Sequence, residues 1–99
     1  MRIIAVGTLK AFWDQPACRD AEPPLRSRVK VVKAARWIDP AAVKQMFGSA
    51  DILRDGRVVL DIGGNKYRLV AWTNCHYSVV YVRFVGTHRE YDEIDAQTL

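Results

Sequence analysis

Two apolar runs, each interrupted once by arginine, constrain this chain more than any other feature. They lie in the stretch Gly64 to Asp92, GNKYRLVAWTNCHYSVVYVRFVGTHREYD, where Arg68 breaks KYRLVAW and Arg83 breaks VVYVRFV. Side chains alternate faces along a strand. Lys66, Arg68, Val70 and Trp72 are therefore expected on one face of the first strand, with Tyr67, Leu69 and Ala71 on the other. In the second, Val79, Tyr81, Arg83 and Val85 share one face, and Val80, Val82 and Phe84 the opposite one. Asn74 to Tyr77 reads as a four-residue hairpin loop. That loop sets Thr73 opposite Ser78 and Arg68 opposite Arg83. Like charges directly opposite destabilise a sheet. An anionic ligand shared between the two arginines, phosphate above all, is the expected compensation. A slip of one residue would send them to opposite faces.

The rest of the chain supplies a sheet edge and helices. Arg2 to Val6 reads as a short strand broken by Gly7. Thr8 is placed to cap a helix through Leu9, Phe12 and Trp13 that Pro16 ends, with a loop after it. A second helix starts at Asp20 or Ala21, with Pro23 and Pro24 in its first turn, and closes at Trp37 and Ile38. Leu25, Val29 and Val32 give it an apolar stripe. Arg26, Lys30 and Lys33 give it a basic one, which is either an ordinary solvated face or a phosphate-tracking surface. No acidic residue separates Arg26 from Arg36, and a face that serves solubility alone usually mixes signs. Asp39-Pro40 restarts a helix that buries Val43, Met46 and Phe47 and stops at Gly48. Ile52 and Leu53 begin a strand, Asp55-Gly56 turns the chain, and Arg57 to Ile62 alternates: Val58, Leu60 and Ile62 against Arg57, Val59 and Asp61. Gly63-Gly64-Asn65 leads into the two arginine strands, and a short helical turn follows near His88 to Ile94. The expected class is α+β, with two or three helices packed on one face of a small, mostly antiparallel sheet.

Ninety-nine residues suit one domain with one core, spanning 1–99. The formal net charge of +4 favours an anionic partner. Cys18 and Cys75 lack metal-site spacing and read as a reduced pair in a cytoplasmic protein, and no metal or other cofactor is implied. No apolar run approaches the length of a membrane span, and MRIIAVGTLK lacks the pattern of a secretory signal.

After Gly86 the second arginine strand runs into Thr87, His88, Arg89, Glu90, Tyr91 and Asp92. Such a cluster fits cleavage of RNA, whose own 2′-hydroxyl attacks the neighbouring phosphate. The chemistry needs a base for the 2′ proton, an acid for the 5′ leaving oxygen and cations beside the phosphorane. His88 and Glu90 are candidates for proton transfer, Tyr91 for acid or stacking ring, and Arg68 with Arg83 for the electrostatic clamp. Lys66 and Arg57 on the strands, with Arg26, Lys30 and Lys33 on the helix, are candidates for holding the RNA backbone. Each has a structural alternative. His88 and Tyr91 could hydrogen-bond a turn or anchor the C-terminal segment, and Glu90 could pair with a nearby arginine. Trp72 could stack on a base, though core packing is the simpler reading.

GNKYRLV, VYVRFVGTH and EYDEIDAQTL resemble the C-terminal half of HigB-family toxins, small mRNA interferases of the RelE/ParE-like superfamily. The N-terminal MRIIA-x-x-TL-x-x-FW, the AE-x-PL and the W-x-x-PA-x-VK-x-x-F-x-SAD segments resemble the same family, so the likeness covers nearly the whole chain. The resemblance implies the compact α+β toxin fold. It implies cleavage of mRNA on the translating ribosome and neutralisation by a HigA-like antitoxin carrying a helix-turn-helix domain. It assigns the strand arginines to Arg68 and Arg83, and the C-terminal His/Tyr pair to His88 and Tyr91. Some superfamily members poison DNA gyrase instead, so a non-catalytic toxin or RNA-binding module of the same fold is the alternative. Four departures stand out. Arg28 and Val29 replace an aromatic pair, the loop DQPACRDAE is long, Asp61 replaces asparagine, and RVVLDI offers Arg57 where some relatives have lysine.

Overall fold

The structure, a computed structural model, describes residues 1–64 and 66–96. Asn65 of the Gly63-Gly64-Asn65 turn, and the last three residues of EYDEIDAQTL, lie outside the described residues. Five strands form one sheet: β1 (Arg2–Ile4), β2 (Asp51–Ile52), β3 (Arg57–Ile62), β4 (Tyr67–Asn74) and β5 (Val79–Thr87). Their spatial order is β1-β5-β4-β3-β2, and only the β1–β5 pair is parallel. The helices are α1 (Val6–Trp13), α2 (Glu22–Ala34), α3 (Pro40–Met46) and α4 (His88–Asp92). This is the expected α+β architecture.

Alternation along the strands sorts the sheet into two unlike faces. Val58, Leu60, Ile62, Tyr67, Leu69, Ala71 and Val80 point toward α1–α3 and are buried with Leu9, Phe12, Trp13, Leu25, Val32 and Val43. The opposite face carries a smaller apolar cluster, in which Val59, Val70 and Ala96 are buried beside Leu53, Phe84, Tyr91 and Ile94. The helices thus do not all lie on one face. α1–α3 cover one, and α4 with the segment behind it covers part of the other.

Several local expectations change. The parallel pairing of β1 ends at Ile4, so α1 starts at Val6 and takes Gly7 and Thr8 inside it. Pro16 opens a 3-10 segment, Pro16–Ala21, instead of a loop, and α2 begins only at Glu22. Asp20 in that segment reaches across to Lys66 and Tyr67. α2 ends at Ala34 because the chain must become extended to drop Trp37 into the core, edge-on to Phe47. Ile38 is left 87% exposed. Asp39 does cap α3, accepting from the Ala42 amide at 3.1 Å. Val43 and Phe47, four apart, carry its buried stripe, and Met46 is exposed.

The expected hairpin register does not hold. The closing pair is Asn74–Val79, so the loop is Cys75 to Ser78. Asn74 Oδ1 accepts from the Tyr77 amide at 3.2 Å, and Ser78 takes φ 55°, the left-handed conformation that reverses the chain. A second shift follows between Val70 and Ala71, where β5 carries one extra residue. Val70 pairs with Phe84 and Ala71 with Val82, leaving Arg83 in the bulge. Beyond the bulge the alternation is reversed, so Val85 faces the helices and Phe84 the other side. Arg68 faces Gly86, not Arg83.

Candidate functional site

The face opposite α1–α3 collects most of the chemistry. Arg57, Asp61, Arg68, Trp72, Tyr81 and Arg83 all project from it, and Tyr91 from α4 leans onto it. The two strand arginines do share a face, as expected, but for a different reason. The expected repulsion between facing arginines is absent. Arg68 lies beside Asp61 of β3, its cross-strand partner, with Nε 3.2 Å from Oδ1. Its side chain is only 11% exposed, and its guanidinium lies 5.9 Å from the Tyr91 ring. Asp61 was the residue missed by sequence reasoning. Closing Ile62 on Tyr67 through the glycine turn would have placed it opposite Arg68.

Arg83 is set differently. The bulge turns it out of the ladder, and its residue is exposed. Its guanidinium lies 5.7 Å from the Trp72 ring and 5.6 Å from the Tyr81 ring, and those rings stack at 5.2 Å with 27° between planes. A bulge that re-aims one side chain while the ladder continues is a common device beside active sites.

α4 begins where β5 ends. The Thr87 hydroxyl accepts from the Glu90 amide at 3.1 Å, and the Glu90 carboxylate accepts from the Thr87 amide at 3.0 Å, a reciprocal capping box. Glu90 thus holds the start of the helix. The His88 amide donates to the Lys66 carbonyl at 3.1 Å, tying α4 to the start of β4. His88 Nδ1 lies 3.3 Å from the Asp92 carboxylate, and its side chain is about half exposed. Tyr91 packs on the small apolar cluster. Burial, helped by Asp51, raises its phenol pKa, and Arg68 only partly offsets that. The phenol is therefore a protonated donor at neutral pH. Gly86 makes this junction possible, since a β-carbon there would come within 2.6 Å of the Phe84 ring and 3.3 Å of Glu90 Cβ.

The other candidate backbone-binding residues are dispersed. Arg57 stands on the arginine face, opposite Trp72 and 3.8 Å from Asp55. Lys66 is bound to Asp20, whose second carboxylate oxygen takes the Tyr67 hydroxyl. Arg26 pairs with Glu22 at 2.6 Å and lies over Trp13, 4.9 Å from the ring. It lines a groove with Lys30 and Lys33 on α2, across the sheet from Arg68 and Arg83. Arg28 stacks on Phe47 at 4.3 Å.

Among the described residues, no group of three or more His, Cys, Asp and Glu side chains is placed to hold a metal ion. Cys18 and Cys75 are both free, and no described helix is long and apolar enough to cross a membrane.

Comparison with known proteins identifies the family. Residues 21–94 match the model of the HigB toxin family, described as the RelE-like toxic component of a toxin–antitoxin system. The mRNA interferase HigB of Escherichia coli O6:H1 (strain CFT073) is 31% identical over 72 residues, covering 71% of this chain and 70% of that protein. The mRNA interferase toxin HigB of Escherichia coli K12 is 38% identical over 55 residues, and so is the mRNA interferase HigB of Shigella flexneri. That shorter match spans about half of each, 54% of this chain and 53% of the relative. With the match running through β3, β4, β5 and α4, this chain belongs to the HigB toxin family, the RelE-like toxic components of toxin–antitoxin systems.

Proposed function

We propose that this toxin is an mRNA endoribonuclease acting on the translating ribosome, and that the arginine face is its active site. One observation carries the reading. Arg83 is turned out of the ladder by a bulge, is exposed, and stands over rings, with no carboxylate among its described partners. It shares its face with Arg68 and Tyr91. The names of the relatives support the same activity.

The proposed reaction needs only side chains, because the ribose 2′-hydroxyl is an internal nucleophile. Arg83 grips the scissile phosphate and offsets charge on the phosphorane. Arg68, oriented by Asp61, supports it from the strand alongside. His88 takes the 2′ proton, and Asp92 steadies its ring. Tyr91, a protonated phenol at neutral pH, donates to the 5′ leaving oxygen. Glu90 contributes mainly by fixing α4. Arg57 contacts the RNA backbone, while the stripe Arg26, Lys30 and Lys33 on α2 faces ribosomal RNA or the partner, with Lys66 between the two surfaces. We take residues 1–99 as one toxin domain working in the cytoplasm. Toxin family membership implies an antitoxin, and we assign it to the HigA-like, helix-turn-helix type.

Primer extension on an abundant message after induction of the toxin tests the reading. New 5′ ends are expected in the wild type and not in Arg83→Ala. Growth arrest with intact messages would favour a non-catalytic toxin, such as a gyrase poison.

A further inference from the structure

Trp72 and Tyr81 belong to neither apolar cluster. They occupy a cross-strand pair of β4 and β5, on the face away from α1–α3. Both are only partly buried, whereas the other two tryptophans, Trp13 and Trp37, are buried. A large ring left partly open to water is a costly way to fill a surface, because burial of its area is what normally stabilises it.

The indole is also held in place. Trp72 Nε1 donates to the Asp55 carbonyl at 2.6 Å, and the neighbouring Thr73 hydroxyl donates to the Gly56 carbonyl at 2.7 Å. Gly56, at φ 80°, approaches so closely that a β-carbon would come within 2.7 Å of the Thr73 carbonyl oxygen. The turn therefore clamps the end of β4 and fixes the ring plane. Tyr81 stacks on that ring, and Arg83 stands beside both.

Distances along the sheet make this arrangement useful. Trp72 and Arg68 lie four residues apart on one face, about 13 Å at ~3.3 Å per residue. Arg83 emerges between them, at the bulge beside Val70 and Ala71. A strand whose phosphate is held by Arg83 thus has a neighbouring base within reach of the rings.

We infer that Trp72 and Tyr81 form a stacking platform for the nucleobase next to the scissile phosphate. The inference rests on the proposed endoribonuclease reading and adds a base-binding subsite to it. Stacking is tolerant of base identity, because every base has a π-face. The platform therefore positions the RNA and adds little codon choice.

The test is a double-mutant cycle on programmed ribosomes, in single-turnover cleavage. One arm is Trp72→Leu. The other is a message with an abasic ribose at one or the other nucleotide flanking the cut. One base–aromatic stack corresponds to roughly 5- to 150-fold. For the wild type, removing the base at one of the two positions is expected to slow cleavage by that factor. Trp72→Leu is expected to lose as much on the intact message and little more on the abasic one, since the two changes remove a single interaction. Trp72→Phe, which keeps a π-face, should retain most of the rate, and thermal melting checks that each variant is folded. If Trp72→Leu fails to fold, Tyr81→Leu takes its place in the cycle. A folded variant that cuts both messages in the wild-type ratio overturns the platform and leaves the nuclease intact. A wild type that cuts neither message overturns the nuclease reading and the platform with it.

Discussion

The two faces of the sheet are built from alternate residues of the same strands, yet they do opposite work. The face toward α1–α3 is closed: Ile62 and Tyr67 are essentially inaccessible, and its polar groups are few. The other face is only partly covered and carries three arginines among partly buried rings. The closed face is held mainly by apolar burial, with few polar exceptions such as the Tyr67 hydroxyl on Asp20 and the Thr73 hydroxyl on the Gly56 carbonyl. On the open face each charge has a separate arrangement: Asp61 beside Arg68, rings beside Arg83, Asp55 near Arg57. The difference teaches that substitutions on the closed face should be read as stability, and those on the open face as activity. Four experiments can break that division.

The largest effect is expected from the proton-transfer pair. His88→Ala and Tyr91→Phe should each slow single-turnover cleavage by roughly 10²–10⁴, as is typical of a lost acid–base group. Circular dichroism should stay unchanged, because neither the ring of His88 nor the phenol oxygen of Tyr91 fills the large core. Glu90→Ala should lower cleavage less, acting by fraying α4 through loss of the capping box. A folded His88→Ala protein cutting at the wild-type rate would move the base elsewhere.

Ile62→Ala probes the closed face. Truncating so buried an aliphatic side chain should cost about 2–5 kcal/mol in chemical denaturation. Rates measured on the fraction still folded should remain near wild type. A specific loss of rate in the folded fraction would show that the two faces are coupled.

Much of this division was legible in the sequence. Alternation in β3 and in the first half of the hairpin sorted its residues correctly, because a period of two depends only on local pleating. What alternation could not show was the bulge at Arg83, which depends on how two strands of unequal length are matched. The loop Cys75 to Ser78 was displaced for a similar reason, since Asn74 closes it through its own side chain and Ser78 accepts a positive φ. The α2 stripe was found as a pattern, but periodicity has no information about which side of a sheet a helix covers. Alternation places Asp61 on the right face, but only the turn before β4 fixes its partner as Arg68.

The arginines give the sharpest test within the open face. Arg83→Ala should lower cleavage by roughly 10²–10³, the usual effect of losing one charge-stabilising donor, with stability within about 0.5 kcal/mol of wild type. Arg68→Ala should differ. Without it, the Asp61 carboxylate is left without its cross-strand cation in a partly buried place, and unfolding should become easier by about 1–3 kcal/mol. Removing Asp61 as well should recover part of that loss. This reverses the expectation of facing arginines, under which deleting Arg68 would relieve repulsion. If Arg68→Ala proved as stable as Arg83→Ala, the Asp61 pairing would have no energetic weight.

The smallest effect concerns the junction between the faces. Asp20 accepts from Lys66 and from Tyr67, and these bonds hold the 3-10 segment against the start of β4. The hydrogen bond from Lys66, then that from Tyr67, lowers the Asp20 pKa. The Asp20 hydrogen bond raises the Lys66 pKa, and burial raises that of Tyr67. A carboxylate with a depressed folded pKa lends stability above its unfolded value, which is lost as pH falls through the folded one. For Asp20 that window lies at and below the ordinary aspartate pKa of about 4. The contributions of Lys66 and Tyr67 are full below their ordinary values and fade only as pH rises above them. The network is therefore intact at neutral pH and opens first in acid. Thermal melting of wild type and Asp20→Asn across the acid range should converge as pH falls, with a modest separation at neutral pH, since the Asp20–Lys66 pair is exposed and screened by salt. Cleavage at neutral pH should change little in Asp20→Asn. Parallel melting curves at every pH would mean that the carboxylate charge is not what holds this junction.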